Sequence, residues 1–222
     1  MYSLGIDIGS SSAKVSLLDI KSGRCLCSST NPKSEAPISA PQKGWAEQAP
    51  EMWWVFICDG IRDIASKEDL SKVVSIGITY QMHGLVAVDK DIRPVRDAII
   101  WCDSRAVAIG AEALEGIGYG KCMEHLLNSP GNFTASKLAW VKRNEPELYS
   151  KIYKFMLPGD YVAYKFSGQV ATTETGLSEQ ILWDFKEARR ADFVAEYYGI
   201  DSDMIPETVP SIGFQCRTTA EI

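Results

Sequence analysis

Hydrophobic residues alternate along the opening of the chain and recur at helical spacing further on. Leu4, Ile6 and Ile8 fall on one face of Tyr2–Ile8, the two-residue period of a half-buried strand. Gly9-Ser10-Ser11-Ser12 is turn sequence; residues 14–18 predict a second strand, 20–23 a second turn and 24–29 a third strand. The chain therefore opens as an antiparallel meander. Residues 32–44, with their Pro and Gly, read as a surface loop. Pro50 suits the first position of a helix, where its missing N–H costs nothing, and Trp54, Ile57, Ile61 and Ile64 recur at the spacing that turns them toward a core.

Beyond that helix, 73–79 predicts a short buried strand, 84–89 another with a turn at Lys90-Asp91, and 98–101 a further apolar run. Residues 104–150 turn helical, with one amphipathic segment around Leu138, Trp140 and Val141 that ends before Pro146. Residues 152–157 predict one more strand, and Asp160 the N-cap of a short helix stopped by Gly168. Strands and helices mixed without strict alternation indicate an α/β domain with a partly antiparallel sheet. No internal repeat interrupts it. The 222 residues suit one large domain, or one and a fraction.

Composition narrows the function classes. A hydrophobic content of 45% and a charged content of 23% are those of a globular protein. No apolar run reaches the length of a membrane span, and the N-terminus is strand-like rather than signal-like, which predicts a cytoplasmic protein. A net charge of −6 argues against nucleic acid as a partner, because a polyanion is met by a basic face. The six cysteines form no CxxC pair and only two histidines exist, so reduced, buried thiols are expected rather than zinc.

Three strand ends carry candidate chemistry, where ligands of α/β folds collect. In Gly5-Ile6-Asp7-Ile8-Gly9-Ser10-Ser11-Ser12, a carboxylate precedes a small-residue turn whose N–H and hydroxyl groups suit phosphate oxygens. Asp7 suits a magnesium-bound water beside them, and Lys14 follows in the next strand. The alternative is an ordinary hairpin turn. Tyr80-Gln81-Met82-His83-Gly84 offers an amide, a thioether and an imidazole in a row, a set suited to a polyhydroxylated ligand, unless His83 is a structural residue. Trp101-Cys102-Asp103-Ser104-Arg105 ends in a carboxylate for sugar hydroxyls and a guanidinium to orient it, or equally in a helix cap with its ion pair. His125 reads as a surface residue with no role.

These segments resemble the FGGY family of carbohydrate kinases. The segment from Asp7 to Lys14 is similar to the family's first phosphate motif, shared with actin, hexokinase and the heat-shock chaperone ATPases. Gly44-Trp45-Ala46-Glu47-Gln48 with Pro50 and Trp53-Trp54 resembles its W-x-E-Q-x-P-x-x-W-W stretch. Gln81-Met82-His83-Gly84 resembles the sugar motif of its xylulose-phosphorylating members. Arg93-Pro94 with residues 99–105, the run 132–140 and Leu157-Pro158-Gly159-Asp160-Tyr161 continue the likeness in order, to about residue 185.

The resemblance implies an actin-like, ribonuclease H-like ATPase fold with a mixed sheet flanked by helices. It implies ATP and Mg2+ as cofactors, with Asp7, Gly9, Ser10, Ser11 and Lys14 toward the phosphates and Asp7 toward the metal. It implies that Gln81, Met82 and His83 contact a ketose and that Asp103 and Arg105 line its pocket. The implied reaction is ATP-dependent phosphorylation of a ketopentose, D-xylulose to D-xylulose 5-phosphate. Gluconate or ribulose as substrate, a non-catalytic sugar-binding module and an actin-like scaffold are the alternatives. Two departures stand out. Residues 172–176 lack the Asp and Ser pattern that often follows the LPxDY segment, and no Gly-Gly-Asp-Asn-like motif supplies a catalytic base. In the family that Asp and the adenosine-binding domain fall beyond the point matching Ile222, so the resemblance implies both there. Separately, the run from Met204 to Ile222 resembles neither a terminating helix nor a tail, and the chain is expected to have been cut from a longer one. Residues 1–222 are thus expected to form an N-terminal domain whose partners are a sugar, ATP and its own C-terminal domain, inactive alone; a homodimer is left open.

Overall fold

The alternating N-terminal segments pair with one another in the computed structural model, which describes residues 1–219. In chain order, β1 (Tyr2–Ile8), β2 (Ala13–Asp19), β3 (Arg24–Asn31) and the short β4 (Glu47–Gln48) lead into α1 (Pro50–Ala65). Then come β5 (Val73–Tyr80), β6 (Val86–Val88), β7 (Ala98–Ile99), α2 (Val107–Ile117), α3 (Tyr119–His125), α4 (Thr134–Asn144) and α5 (Pro146–Tyr149). The remainder is β8 (Lys154–Met156), α6 (Pro158–Ser167), β9 (Ala171–Thr173), α7 (Glu174–Glu179), β10 (Trp183–Asp184), β11 (Arg189–Arg190), α8 (Asp192–Tyr198) and β12 (Glu207–Val209). The main sheet has the order β3-β2-β1-β5, with an antiparallel meander and β5 parallel to β1. The mixed sheet expected from the sequence is present. Residues 220–222, part of the segment in which the chain's abrupt end was read, lie outside the described residues.

Leu4, Ile6 and Ile8 of β1 and Val15 and Leu17 of β2 point to one face, where α1 covers them with Trp53, Ile57 and Ile64. Burying each such aliphatic side chain contributes roughly 1.5–3 kcal/mol. Gly60 sits where α1 crosses β2: a Cβ there would lie 2.7 Å from Val15 Cγ2, so only glycine permits this approach. Of the stripe expected on α1, Ile57 and Ile64 are buried, but Trp53 and Gly60 take the buried places expected of Trp54 and Ile61. Trp53 is buried while Trp54 and Ile61 are half-buried. Trp53 finds a partner for its indole N–H inside, at Gln48 Oε1 (3.1 Å), whereas Trp54 packs edge-on against Phe166 at 4.8 Å.

A second core lies on the helical side, and the apolar run at β6 joins the two. Val86 and Val88 face the sheet cluster; Leu85 and Ala87 face the cluster of α2, α4, α7 and α8. Ala98, Ile99 and Ile100 divide in the same alternation. A strand buried on both faces reads as a continuous apolar run for this reason.

Two further expectations are corrected. β5 is not buried: Ser75, Gly77 and Thr79 are exposed, and Ile76, Ile78 and Tyr80 are half-buried, because β5 ends the sheet order. Asp160 is the third residue of α6 rather than its cap. Pro158 takes the first position, and Asp160 Oδ2 accepts the N–H of Leu157 at 3.1 Å. Gly168 stops α6 with φ 70, as its position requires. All six cysteines are free, yet Cys122 alone is buried, and Cys25 and Cys102 are exposed.

Candidate functional site

Register in the main sheet places the first candidates. Asp7 lies directly opposite Lys14 on β2 and beside Thr79 on β5, and all three are exposed on the face away from α1. Asp7 and Lys14 make no side-chain hydrogen bond or ion pair among the described residues, so both are available to a ligand. The turn that follows is closed by the Gly9 N–H donating to Ser12 O at 2.9 Å. It is pinned from two sides. Gln48 Nε2 donates to Ser10 O at 2.6 Å, and Ala36 N–H donates to Ser11 O at 2.7 Å. The Ser10 hydroxyl lies 3.4 Å from the indole nitrogen of Trp101, and the Ser11 hydroxyl 3.4 Å from Glu35 Oε1. Among the described residues no cluster of three or more His, Cys, Asp or Glu could cage a metal ion. The donor set fits magnesium only as the octahedral ion usually binds, through a single carboxylate and water beside phosphate oxygens.

Gln81, Met82 and His83 form the tip after β5. The Gln81 N–H continues the ladder by donating to Ile8 O at 2.7 Å, which sets this tip beside the Asp7 turn. Gln81 Nε2 lies 3.3 Å from Gln48 Oε1, while its own Oε1 is buried with no hydrogen-bond partner among the described residues. An orphaned buried acceptor of this kind marks a place for a ligand hydroxyl or a water. Met82 is 53% exposed, large and apolar at the tip.

His83 has φ 55, a left-handed conformation that is uncommon for a residue with a Cβ. Its Nδ1 lies 3.1 Å from the carbonyl oxygen of Glu179 and 3.2 Å from Glu179 Oε2. Because both of these oxygens only accept, Nδ1 carries the proton. Nε2 makes no hydrogen bond among the described residues. The ring packs on Phe133 with centroids 4.2 Å apart. Lys137, wholly buried, donates from Nζ to His83 O at 2.7 Å, and burial pulls its ammonium down to about 8.

Asp103 and Arg105 do not line an open pocket. The Asp103 side chain is 0% exposed and that of Arg105 1%. Asp103 Oδ2 accepts from Ala46 N–H at 2.6 Å and Arg105 Nη2 at 2.7 Å; Oδ1 accepts from Arg105 N–H and Nε. Arg105 also pairs with Glu47 at 2.7 Å and lies 3.8 Å above the ring of Trp45. Glu47 pairs in turn with Arg96, and Arg96 with Glu145. A carboxylate taken fully out of water keeps its charge only with such partners. Of the other reading of this segment, a helix cap with its ion pair, the ion pair is present but the cap is not: α2 begins at Val107 after Ala106, with no side-chain cap, and Asp103 closes the loop before it instead. Asn132 Nδ2 donates to Asp103 O. His125 is likewise no free surface residue: it is paired through Nδ1 with Asp184 Oδ2 at 2.9 Å.

Four participants had no role in the sequence reading. Gln48, Phe133 and Lys137 lie in the runs 44–54 and 132–140, whose likeness to family motifs was their only signal. Glu179 carried none, since a glutamate ending a short helix looks like surface.

Residues 2–221 match the FGGY family of carbohydrate kinases, N-terminal domain. The xylulose kinase of Staphylococcus xylosus is 31% identical over 211 residues, covering 95% of this chain and 43% of that protein. The crystal structure of a xyloylose kinase from Brucella ovis superposes with a TM-score of 0.91 at 26% identity, covering all of this chain and 46% of that one. A gluconate kinase from Lactobacillus acidophilus has the same fold, with a TM-score of 0.88 at 22% identity over 99% of this chain and 44% of its own. The chain thus spans less than half the length of these relatives. Among the described residues no helix is long and apolar enough to cross a membrane. A match along nearly the whole chain, together with the shared fold, makes this chain a member of the FGGY family of carbohydrate kinases.

Proposed function

We propose that this chain forms the sugar-binding part of an ATP-dependent ketopentose kinase that converts D-xylulose to D-xylulose 5-phosphate. The observation that carries this reading is the junction of two strand tips through Gln48. One tip offers the hydroxyl-seeking groups of Gln81 and His83 with the apolar Met82 between them, and the other a turn of small residues after Asp7. A sugar hydroxyl and a terminal phosphate held at neighbouring tips are the two reactants of a phosphoryl transfer.

In this mechanism Gln81 Oε1 and His83 Nε2 accept hydrogen bonds from the open-chain ketose, and Met82 packs against its carbon chain. The turn 9–12 donates N–H groups to the γ-phosphate of ATP, and Lys14 offsets its charge. Magnesium would supply charge neutralisation on the phosphates, and Asp7 would hold one of its waters. The terminal hydroxyl oxygen forms the new bond to γ-phosphorus as the bond to ADP breaks. A carboxylate beyond Ile222 takes the hydroxyl proton. Asp103 and Arg105 keep the wall behind the two tips rigid.

The test is ADP release by the full-length protein with xylulose, ribulose and gluconate. Xylulose is expected to give the highest kcat/KM, and the 222-residue chain alone no turnover. A preference for gluconate or ribulose reassigns the substrate; no sugar-dependent ADP release with any of them leaves the non-catalytic module as the reading.

A further inference from the structure

A buried lysine stands under the sugar tip, outside the groups assigned above. We propose that Lys137 is a positioning residue for the ketose: its ammonium clamps the carbonyl of His83 and so fixes the Met82-His83 tip that the sugar meets. The proposal rests on the ketose kinase reading and names what holds its specificity element in shape.

The geometry is local and unusual. His83 is in the left-handed region, where a non-glycine residue persists only if its surroundings over-determine it. Those surroundings come mostly from the start of one helix. Phe133 packs against the imidazole at a tilt of 59°, Thr134 Oγ1 donates to Gly84 O at 3.2 Å, and Lys137 Nζ donates to His83 O at 2.7 Å. The same helix is anchored to the far side of the site by the Ala135 N–H, which donates to Gln180 O at 3.2 Å, next to the Glu179 that holds the His83 ring.

Lys137 is an expensive choice for packing alone. Its side chain is 0% exposed, it makes no ion pair among the described residues, and it has a single carbonyl acceptor there. Taking an ammonium out of water is costly without a direct ion pair or several acceptors, and burial lowers its pKa even though the charge of Asp103 opposes the shift. A methionine fills similar space with no charge to desolvate. A merely structural lysine would therefore be dispensable or replaceable with a gain in stability, whereas a positioning lysine trades stability for a fixed tip.

The variants Lys137→Met and Lys137→Gln, in the full-length protein, separate these roles. Lys137→Met is expected to unfold at a temperature no lower than wild type, with a ketose KM raised at least tenfold and an ATP KM within twofold. Lys137→Gln keeps an N–H donor and is expected to fall between. An unchanged ketose KM overturns the proposal, as does a parallel rise in both KM values with a lowered Tm. If Lys137→Met does not fold, Lys137→Gln decides: a wild-type ketose KM overturns the proposal, and failure of both to fold overturns it too, because the lysine then holds the fold. Wild-type protein that turns over no ketose sinks the kinase reading before any variant is measured. Calorimetric binding of xylulose to wild type and variants then decides the role of Lys137 separately, and an affinity that the variants leave unchanged, or that wild type lacks, overturns it.

Discussion

Gln48 donates its amide Nε2 to the backbone carbonyl of Ser10 at 2.6 Å, and so fastens the turn 9–12 to the residues beside it. The same side chain donates to Pro37 O at 3.2 Å and accepts at Oε1 from Trp53 Nε1 and Gln81 Nε2. One buried amide thus ties α1, the loop before β4, the turn 9–12 and the tip after β5 together.

Gln48→Leu keeps the volume and removes all four contacts. The buried indole N–H of Trp53 and the Ser10 carbonyl lose their partner, which costs about 1–3 kcal/mol. Because both tips are released, KM is expected to rise for ketose and for ATP together. Urea unfolding and steady-state kinetics check this; a rise in ketose KM alone would show that the two tips are independent.

His83→Ala removes Nε2 and the tilted ring contact with Phe133 while leaving the backbone carbonyl in place for Lys137. Ketose affinity is expected to fall about tenfold or more, the order of one lost hydrogen bond with its packing. Calorimetric titration with xylulose measures it. Equal affinities for the variant and wild type would remove His83 from the site.

Asp103→Ala tests the bracing role. Removing one partner of a buried ion pair leaves Arg105 with Glu47 as its one remaining carboxylate among the described residues and the Ala46 N–H without its acceptor, at a cost of roughly 3–5 kcal/mol. Loss of stability is therefore expected to exceed any selective effect on the sugar, as read by thermal unfolding beside ketose KM. A stable variant with selectively weakened ketose binding would return the carboxylate to the pocket.

Asp160 gives the stability a pH dependence. Its carboxyl is pushed up to about 7, chiefly by burial, with the Leu157 N–H and the Thr172 hydroxyl opposing the shift. The folded state therefore holds a proton that the unfolded state releases near its ordinary value of 3.8. Stability from this group is present in acid and falls as pH rises between about 4 and 7, by on the order of 2–4 kcal/mol. Asp160→Asn keeps an acceptor for Leu157 and removes the titration. Urea unfolding at pH 5 and pH 7.5 is expected to show a steeper decline with pH for wild type than for the variant; parallel curves would rule out Asp160 as the source.

The meander, α1 and the helical second half were legible in the sequence because each follows from local chemistry. Alternation at Leu4, Ile6 and Ile8 needs only the strand's own period, and Pro50 and Gly168 act through their own backbone preferences. The candidate tips were legible as well, since polar groups after apolar strands stand out in any reading. Tertiary structure decided what those groups do. Asp103 and His83 look alike in the chain, polar residues at strand ends, but Asp103 is enclosed by Ala46 and Arg105 whereas His83 keeps Nε2 without a partner among the described residues. The same holds for β5, whose apolar residues could not reveal that one of its faces meets solvent. A hydrogen bond between residues 33 or 96 positions apart, such as Gln48 with Gln81 or His83 with Glu179, depends on where the whole chain packs. Periodicity records the environment a residue needs; packing alone determines which partner provides it.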